Sequence, residues 1–426
     1  MTNMSTSGSE NPAETDLSRR DWILLPLLSL ATIGILAGST ELIARQFYPV
    51  RGHEMWDCVK GKGSPHNGTQ GIPNAVCWGS VNDTPLIEYR LNSCGHRAGM
   101  ECGPKPPYTF RIVMLGSSTT LGAGVPVEKA FPALLPEELS RLTGQKVQVY
   151  NEGMFSEVPW VVAPHLNSVL TAKPDAILWI LTAYDISEGS AILSGNTIPD
   201  AGVDADQAPN ADPAPEADSG NQASMGRCLH TLFLTKPRAG EISDLRQSCL
   251  AMESPRLASL VLLRHFLYMN QSLYVRSYLK DDTRAGFLRS HPNVGWEEAM
   301  QRFEIDDAAM EAQARAGGVP LVAVLVPNRA QAAMISMGEW PAGYDPYKLD
   351  NELRAIITSH GGTYIDILPD FRGLPNPEQY YYVVDAHPNV RGSILLASML
   401  AKELTSGAIP ELKAAAQPHT AQEQGR

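Results

Sequence analysis

The stretch RIVMLGSSTTLGAGV, residues 111–125, contains the transition that decides the fold. Its apolar part, 111–116, ends in a glycine and has the composition of a buried parallel strand. Two serines follow at once, so a hydroxyl emerges where the strand meets a potential helix N-terminus, whose free N–H groups favour negative charge. Such a hydroxyl suits an acyl-transfer nucleophile, a phosphate-binding turn or a plain helix cap. No Gly-Lys-Ser/Thr follows, which excludes a P-loop.

Further apolar runs alternate with helical patterns along the chain. We predict strands at 146–153, 175–181, 319–327 and 363–368, and helices at about 127–142, 157–172 and 390–404. Strands that alternate with helices predict a three-layer α/β/α fold around a five-stranded parallel sheet. Ligands of such sheets bind at the carboxyl ends of the strands.

An apolar run near the N-terminus, WILLPLLSLATIGILAGST (22–40), predicts a transmembrane helix over 22–44. As a helix, the nineteen residues of the apolar run cover roughly 28 Å, close to the hydrocarbon thickness of a bilayer. Arg19 and Arg20 precede the run, which favours a disordered cytoplasmic tail at 1–21. A cleaved signal peptide is the alternative, but its charged region would be unusually long.

Six cysteines fall into two groups, four before the strand at 111–116 and two in a later insert. An even count fits disulfides formed in an oxidising compartment, with pairing inside each group. We therefore expect a disulfide-stapled, irregular lead-in at 45–108 and a periplasmic catalytic domain; six reduced thiols are the alternative. The cysteines are Cys58, Cys77, Cys94, Cys102, Cys228 and Cys249.

A long insertion, 187–300, interrupts the domain at 109–406. Its part 195–225 is acidic and rich in proline, so we predict a disordered loop. The stretch SPRLASLVLLRHFLYMNQSLYVRSYL (254–279) predicts a helix or helix pair capped by Ser254, with an apolar stripe that packs or roofs the active site. The polar tail at 407–426 is predicted to be disordered. The net charge of −12 and the lack of a basic patch argue against a nucleic-acid partner.

The stretch VVDAHPNVRG (383–392) follows the last predicted strand and places Asp385 two residues before His387. A serine hydroxyl needs a base, and a histidine held by a carboxylate is well suited to that role. Both loops follow strands, so they should meet at one edge of the sheet. The alternative is an exposed Asp and His at a helix start that Asn389 caps.

Together, the two stretches resemble the SGNH, or GDSL-like, hydrolase family. The resemblance implies a flavodoxin-like fold with Ser118 as nucleophile, His387 as base and Asp385 as its partner; Ser117 replaces the usual Asp. The Asp-x-His spacing is one that we associate with the polysaccharide-acetylating branch. The family's second block corresponds to NEGMFSEV (151–158), where Ser156, or alternatively Gly153, would supply an oxyanion N–H.

The third block departs from the family, because LTAYDIS (181–187) has Tyr184 and Asp185 where Asn-Asp is usual. Losing an oxyanion donor of this kind typically costs about 100–1000-fold in rate. Tyr184, Thr182 or a backbone group would have to replace it.

The resemblance implies a membrane-anchored, extracytoplasmic serine esterase or O-acyltransferase that acts on acyl esters, with acylated glycans as a substrate class. It implies no metal and no cofactor. The alternative is a catalytically degenerate SGNH-fold protein that binds a glycan or a partner.

Overall fold

The computed structural model describes residues 19–48, 57–60, 70–80, 82–155, 157–187 and 257–413. The strands of its main sheet occupy the apolar runs that the sequence singles out: four are shorter than predicted, and β5 begins two residues earlier. The strands are β1 Val59–Lys60, β2 Gln70–Gly71, β3 Val76–Gly79, β4 Ile87–Arg90, β5 Thr109–Leu115, β6 Lys146–Asn151, β7 Ala176–Leu181, β8 Leu321–Leu325 and β9 Thr363–Ile365.

The main sheet has the order β6-β5-β7-β8-β9, and every neighbouring pair is parallel. All residues of β5, β7 and β8 are buried, because helices cover both faces of a parallel sheet and only apolar side chains fit there. The predicted five-stranded parallel sheet with flanking helices is confirmed. The first strand, β5, lies between β6 and β7, so the winding of the chain reverses there. A crevice opens at the carboxyl ends of strands at such a switch point.

Helices cover both faces of this sheet, and the observed helices mostly agree with the predicted ranges. The predicted helix 157–172 is instead broken into two by a 3₁₀ turn, Ala163–His165, that contains Pro164. The helices are α1 Arg19–Phe47, α2 Ser118–Leu121, α3 Phe131–Thr143, α4 Pro159–Val162, α5 Leu166–Leu170, α6 Ala258–Tyr268, α7 Gln271–Tyr278, α8 Asp282–Ala285, α9 Val294–Ala316, α10 Arg329–Met337, α11 Lys348–Ser359 and α12 Val390–Glu403.

The lead-in is more regular than its sequence indicates. Strands β1 and β2 form one antiparallel pair, and β3 and β4 form another. Disulfides join Cys58 to Cys77 and Cys94 to Cys102, which agrees with pairing inside the first cysteine group. The second group, Cys228 and Cys249, lies outside the described residues.

Helix α1 contains the whole predicted segment 22–44. It is long and apolar enough to cross a membrane, although a signal sequence has the same features. The hydroxyls of Ser29, Thr32 and Thr40 each donate to the carbonyl four residues earlier, at 2.8 Å. These polar groups are therefore satisfied inside the helix, as an apolar surrounding requires.

The insertion and the tail are described in part. The range 195–225 and Ser254 lie outside the described residues, whereas α6 and α7 form the predicted helix pair. Helix α6 follows Leu257, which provides no side-chain cap. At the other end of the domain, Ile409 and Leu412 are fully buried, so the packed chain continues past the predicted boundary at 407.

Candidate active site

The turn after β5 presents Ser118 at the carboxyl edge of the sheet. Gly116 has a φ of +141°, and a Cβ at that position would lie 2.5 Å from the carbonyl oxygen of Ile180. Only glycine fits such a close approach to a neighbouring strand. The chain then turns sharply into α2, which starts with Ser118 itself. Within the described residues the Ser118 N–H donates to no acceptor, as expected at a helix start.

A second loop brings His387 to the same edge. The loop closes on itself, because the N–H of Tyr382 donates to the carbonyl of His387 at 2.9 Å. Ala386 has a φ of +70°, a region that non-glycine residues rarely adopt and that costs about 1–2 kcal/mol. This strained residue lies between Asp385 and His387 and allows both side chains to leave the same turn.

The hydroxyl, imidazole and carboxylate form one chain of hydrogen bonds. Ser118 Oγ lies 2.8 Å from His387 Nε2, and His387 Nδ1 lies 2.6 Å from Asp385 Oδ1. The two loops that supply them are 269 residues apart in sequence. The arrangement allows Nδ1 to donate to the carboxylate while Nε2 accepts the serine proton.

The pKa values of the imidazole and the carboxylate diverge. Burial lowers the pKa of His387, but the charge and hydrogen bond of Asp385 outweigh it, and the pKa is raised above 6.5. Burial raises the pKa of Asp385, but the charge and hydrogen bonds of His387, with a further bond from Asn82, leave it below 3.8. The pair thus favours an ionised carboxylate beside a basic imidazole, which is what a general base requires.

The lead-in holds the His387 loop through residues that sequence reasoning missed. Asp83 accepts the N–H groups of Val384 at 3.0 Å and Asp385 at 2.9 Å, and its neighbour Asn82 donates to Asp385 Oδ2 at 3.3 Å. The Asp83 carboxylate also lies 3.1 Å from Nδ1 of His265 in α6. A polar turn carries no periodic pattern, so its sequence predicts only a loop.

The lead-in also supports the turn that carries Ser118. Arg97 is buried and donates to the carbonyls of Leu121, Gly122 and Val125, at 2.9, 2.9 and 2.6 Å. These bonds tie the end of α2 to the turn that follows it and give the carbonyls of Leu121 and Val125 a donor that the helix does not supply.

The second motif, 151–158, lies beside the turn that carries Ser118, since the N–H of Met154 donates to the carbonyl of Gly116. The N–H of Gly153, one of the two predicted oxyanion donors, is already used: it donates to Asn151 Oδ1 at 3.0 Å. Ser156, the other predicted donor, lies outside the described residues.

Two carboxyl groups of the second motif are mostly buried. Burial raises the pKa of Glu152 to about 7. Burial, with the charge of Glu152, raises the pKa of Glu157 to about 8. At neutral pH this side of the site therefore carries less negative charge than its sequence indicates.

The third motif contributes a buried carboxylate rather than an amide. Oδ2 of Asp185 accepts both the N–H and the hydroxyl of Thr182 at 2.8 Å, and the charge of Asp185 helps to raise the pKa of His387. Tyr184, at the position of the usual Asn, is 57% exposed. The geometry therefore brings Ser118, His387, Asp385 and Asp185 together and leaves the Tyr184 side chain largely in solvent. In the described part of the chain, no group of three or more His, Cys, Asp or Glu is placed to hold a metal ion.

No protein-family model matches the chain, and no curated protein sequence is similar to it. Among solved structures, it is similar to the psychrotrophic esterase EstA from Pseudoalteromonas sp. (10% identity over 70% of this chain and 97% of that one, TM-score 0.35). It is also similar to LAE5, an alpha/beta hydrolase from the metagenome of Lake Arreo, Spain (13% identity, 72% and 97% coverage, TM-score 0.36).

Proposed function

We propose that this protein is a membrane-anchored, extracytoplasmic serine esterase or O-acyltransferase that acts through Ser118, His387 and Asp385. The observation that carries the proposal is the hydrogen-bond chain from Ser118 Oγ to His387 Nε2, at 2.8 Å, and from His387 Nδ1 to Asp385 Oδ1, at 2.6 Å. A serine at a tight strand-to-helix turn, with a base and an orienting carboxylate, is the arrangement that acyl transfer needs.

In this mechanism His387 Nε2 takes the proton from Ser118 as Oγ forms a bond to the ester carbonyl carbon. The carbonyl oxygen becomes an oxyanion, which the N–H of Ser118 and that of Ser156 stabilise. The C–O bond to the alcohol then breaks, and the alcohol leaves with the proton from His387. Water or a sugar hydroxyl next gives its proton to His387 and attacks the acyl carbon. The bond from that carbon to Oγ breaks, and His387 returns the proton to Oγ, which restores the free Ser118.

The anchor is favoured over a cleaved signal sequence because α1 packs against the domain. Glu41 accepts hydrogen bonds from the backbone of Ala258 and Ser259 at 3.1 and 3.0 Å, and Ala44 is fully buried. A signal sequence that is removed has no need for such contacts. The disulfide-bonded lead-in favours a periplasmic location for the domain. Acylated glycans are proposed as substrates only on the basis of the family resemblance.

The decisive experiment uses the full-length chain in detergent. We expect hydrolysis of p-nitrophenyl acetate, covalent labelling by a fluorophosphonate, and loss of both in Ser118→Ala. Ser117→Ala is the matched control, because it removes the neighbouring hydroxyl and should keep the label. If wild-type protein gives neither hydrolysis nor label, catalysis is refuted and the chain is better described as a degenerate binding protein.

The substrate class needs a separate measurement. Release of acetate from an O-acetylated xylo-oligosaccharide tests the esterase, and transfer of labelled acetyl groups to an unacetylated oligosaccharide tests the transferase. Both should depend on Ser118. Activity on p-nitrophenyl acetate without either reaction would exclude acetylated oligosaccharides of this kind as substrates and leave the esterase in place.

A further inference from the structure

Helix α6 is attached to the end of the apolar helix α1 by a side-chain cap. The carboxylate of Glu41 accepts the N–H groups of Ala258 and Ser259 and, at 2.8 Å, the hydroxyl of Ser259. Leu257, the residue before α6, offers no cap of its own. Glu41 therefore accepts the first N–H groups of α6 from another helix, a role that the residue just before a helix normally fills.

The attachment continues along the last turns of α1. Ala44 is fully buried, and the ring of Tyr48 lies 5.8 Å from the ring of His265. Glu41 is also the first charged residue after the apolar run 22–40. Helix α6 thus begins beside the end of the apolar run and follows the last turns of α1, which still expose Leu42, Ile43 and Phe47.

The other side of α6 is fixed to the catalytic loop. His265 is hydrogen-bonded to Asp83, which holds the backbone of 384 and 385. Farther along, the buried Arg329 donates to the carbonyl of Tyr268 at 2.6 Å and also to the carbonyl of Val383. Helix α6 is therefore held between α1 and the loop that carries His387.

The remaining face of α6 is apolar and exposed. Leu260, Leu263 and Leu267 recur at spacings of three and four residues, which places them on one side of the helix, with Phe266 next to them. Phe266 is 65% exposed and Leu263 is 54% exposed. This surface, which we call the α6 face, comprises Leu260, Leu263, Phe266 and Leu267.

The α6 face belongs to the helix that begins at Glu41, and α1 exposes large apolar side chains on both sides of Glu41, up to Phe47. Contiguous apolar surface of this kind is unusual on a protein surrounded by water and typical of a membrane contact.

We infer that the α6 face lies in the interface of the same lipid bilayer that α1 spans. Its occupant is phospholipid, because the face extends the apolar surface of the membrane helix rather than forming a separate patch. Arg264, exposed on α6, is positioned to reach the headgroups. The loop 383–387 then lies one helix away from lipid. The inference rests on the proposed anchor, not on catalysis.

Photo-crosslinking of the full-length chain in proteoliposomes of phosphatidylethanolamine and phosphatidylglycerol tests the inference. We replace Phe266 or Leu263 with p-benzoylphenylalanine and measure covalent phospholipid adducts by mass spectrometry. Ile33, exposed on α1, is the positive control, and Tyr108, fully exposed beside the amino end of β5, is the matched negative control. We expect lipid adducts at 266, 263 and 33, and no lipid adduct at 108.

Three results would overturn the inference. The first is a lipid adduct at 33 with none at 263 and 266. The second is a crosslink from 263 or 266 to another copy of the chain in place of lipid. The third is no lipid adduct at any position, which would remove the anchor as well. Ester hydrolysis measured on the same proteoliposomes keeps these outcomes separate from the fate of the proposed catalysis.

Discussion

Replacing Asp83 should damage the proposed active site without changing Ser118, His387 or Asp385. The side chain of Asp83 is 2% exposed, and its two oxygens accept the N–H groups of Val384 and Asp385. Asp83→Asn keeps the shape but turns one acceptor into a donor, so that one buried N–H loses its partner. That loss costs about 1–3 kcal/mol. Asp83→Ala removes both acceptors and should cost about 2–6 kcal/mol, twice the single-group penalty.

The catalytic effect follows from the place of these bonds. They fix the backbone that carries Asp385 and His387, and a displacement of about 1 Å at a reacting group costs on the order of 100-fold in rate. We therefore expect Asp83→Asn to lower kcat/KM for p-nitrophenyl acetate by about 10–100-fold, mainly through kcat. Urea titration shows whether the variant is folded under the assay conditions.

The matched control is Glu88→Gln in the same lead-in. Glu88 pairs with Arg90 at the surface, where such a pair contributes about 0–1 kcal/mol, so stability and kcat/KM should stay at wild-type values. The reasoning is refuted if Asp83→Asn lowers the unfolding free energy and leaves kcat/KM unchanged. Asp83 would then stabilise the fold without positioning the site.

Three further perturbations have defined outcomes. The imidazole of His387 is neutral only above its raised pKa, so kcat/KM should rise with pH with a midpoint above 6.5. Asp185→Asn should lower that midpoint, because the charge of Asp185 helps to raise the pKa of His387. A wild-type midpoint at or below 6.5 contradicts this reasoning. Burial, with the charge of Asp307, raises the pKa of Glu311 from 4.5 to about 7. The contribution of Glu311 to the free energy of unfolding should therefore be fully present below pH 4.5 and be lost as the pH rises through 7. Urea titrations should find Glu311→Gln more stable than wild type by about 1–3 kcal/mol at pH 8 and not at pH 4; equal stability at pH 8 would be the wrong result. Arg97→Met leaves the buried carbonyls of Leu121 and Val125 without a donor, since the carbonyl of Gly122 keeps the N–H of Val125, and should cost about 2 kcal/mol or more in a thermal melt. Arg141→Met, at an exposed pair with Glu138, should cost about 0–1 kcal/mol, and equal costs would contradict the role of Arg97.

Local pattern explains what could be predicted about the fold. The runs that became β5, β7 and β8 are apolar at every position because the sheet is covered on both faces, and that requirement is visible in a few consecutive residues. The same holds for the glycine before Ser117 and for the pair Asp385 and His387, which one turn brings together. These features need only a short stretch of chain to be recognised.

Long-range packing decided the rest. Nothing near Asp83 in sequence indicates that it holds the backbone of 384 and 385, and nothing near Glu41 indicates that it caps a helix that starts at Ala258. Gly153 fits the oxyanion role by its place in the motif, yet its N–H is taken by Asn151.

The sequence by itself determined the parallel sheet, the apolar N-terminal helix and the residue types at the rim of the sheet. Burial and turns restrict which residue types occur at consecutive positions, so a short stretch of sequence is enough to recognise them. Only the tertiary structure decided which polar groups meet across the lead-in, α1, α6 and the loop 383–387. The physical reason is that a hydrogen bond between distant segments depends on how their surfaces pack, and a single carboxylate or amide in a loop carries no periodic signal of its partner.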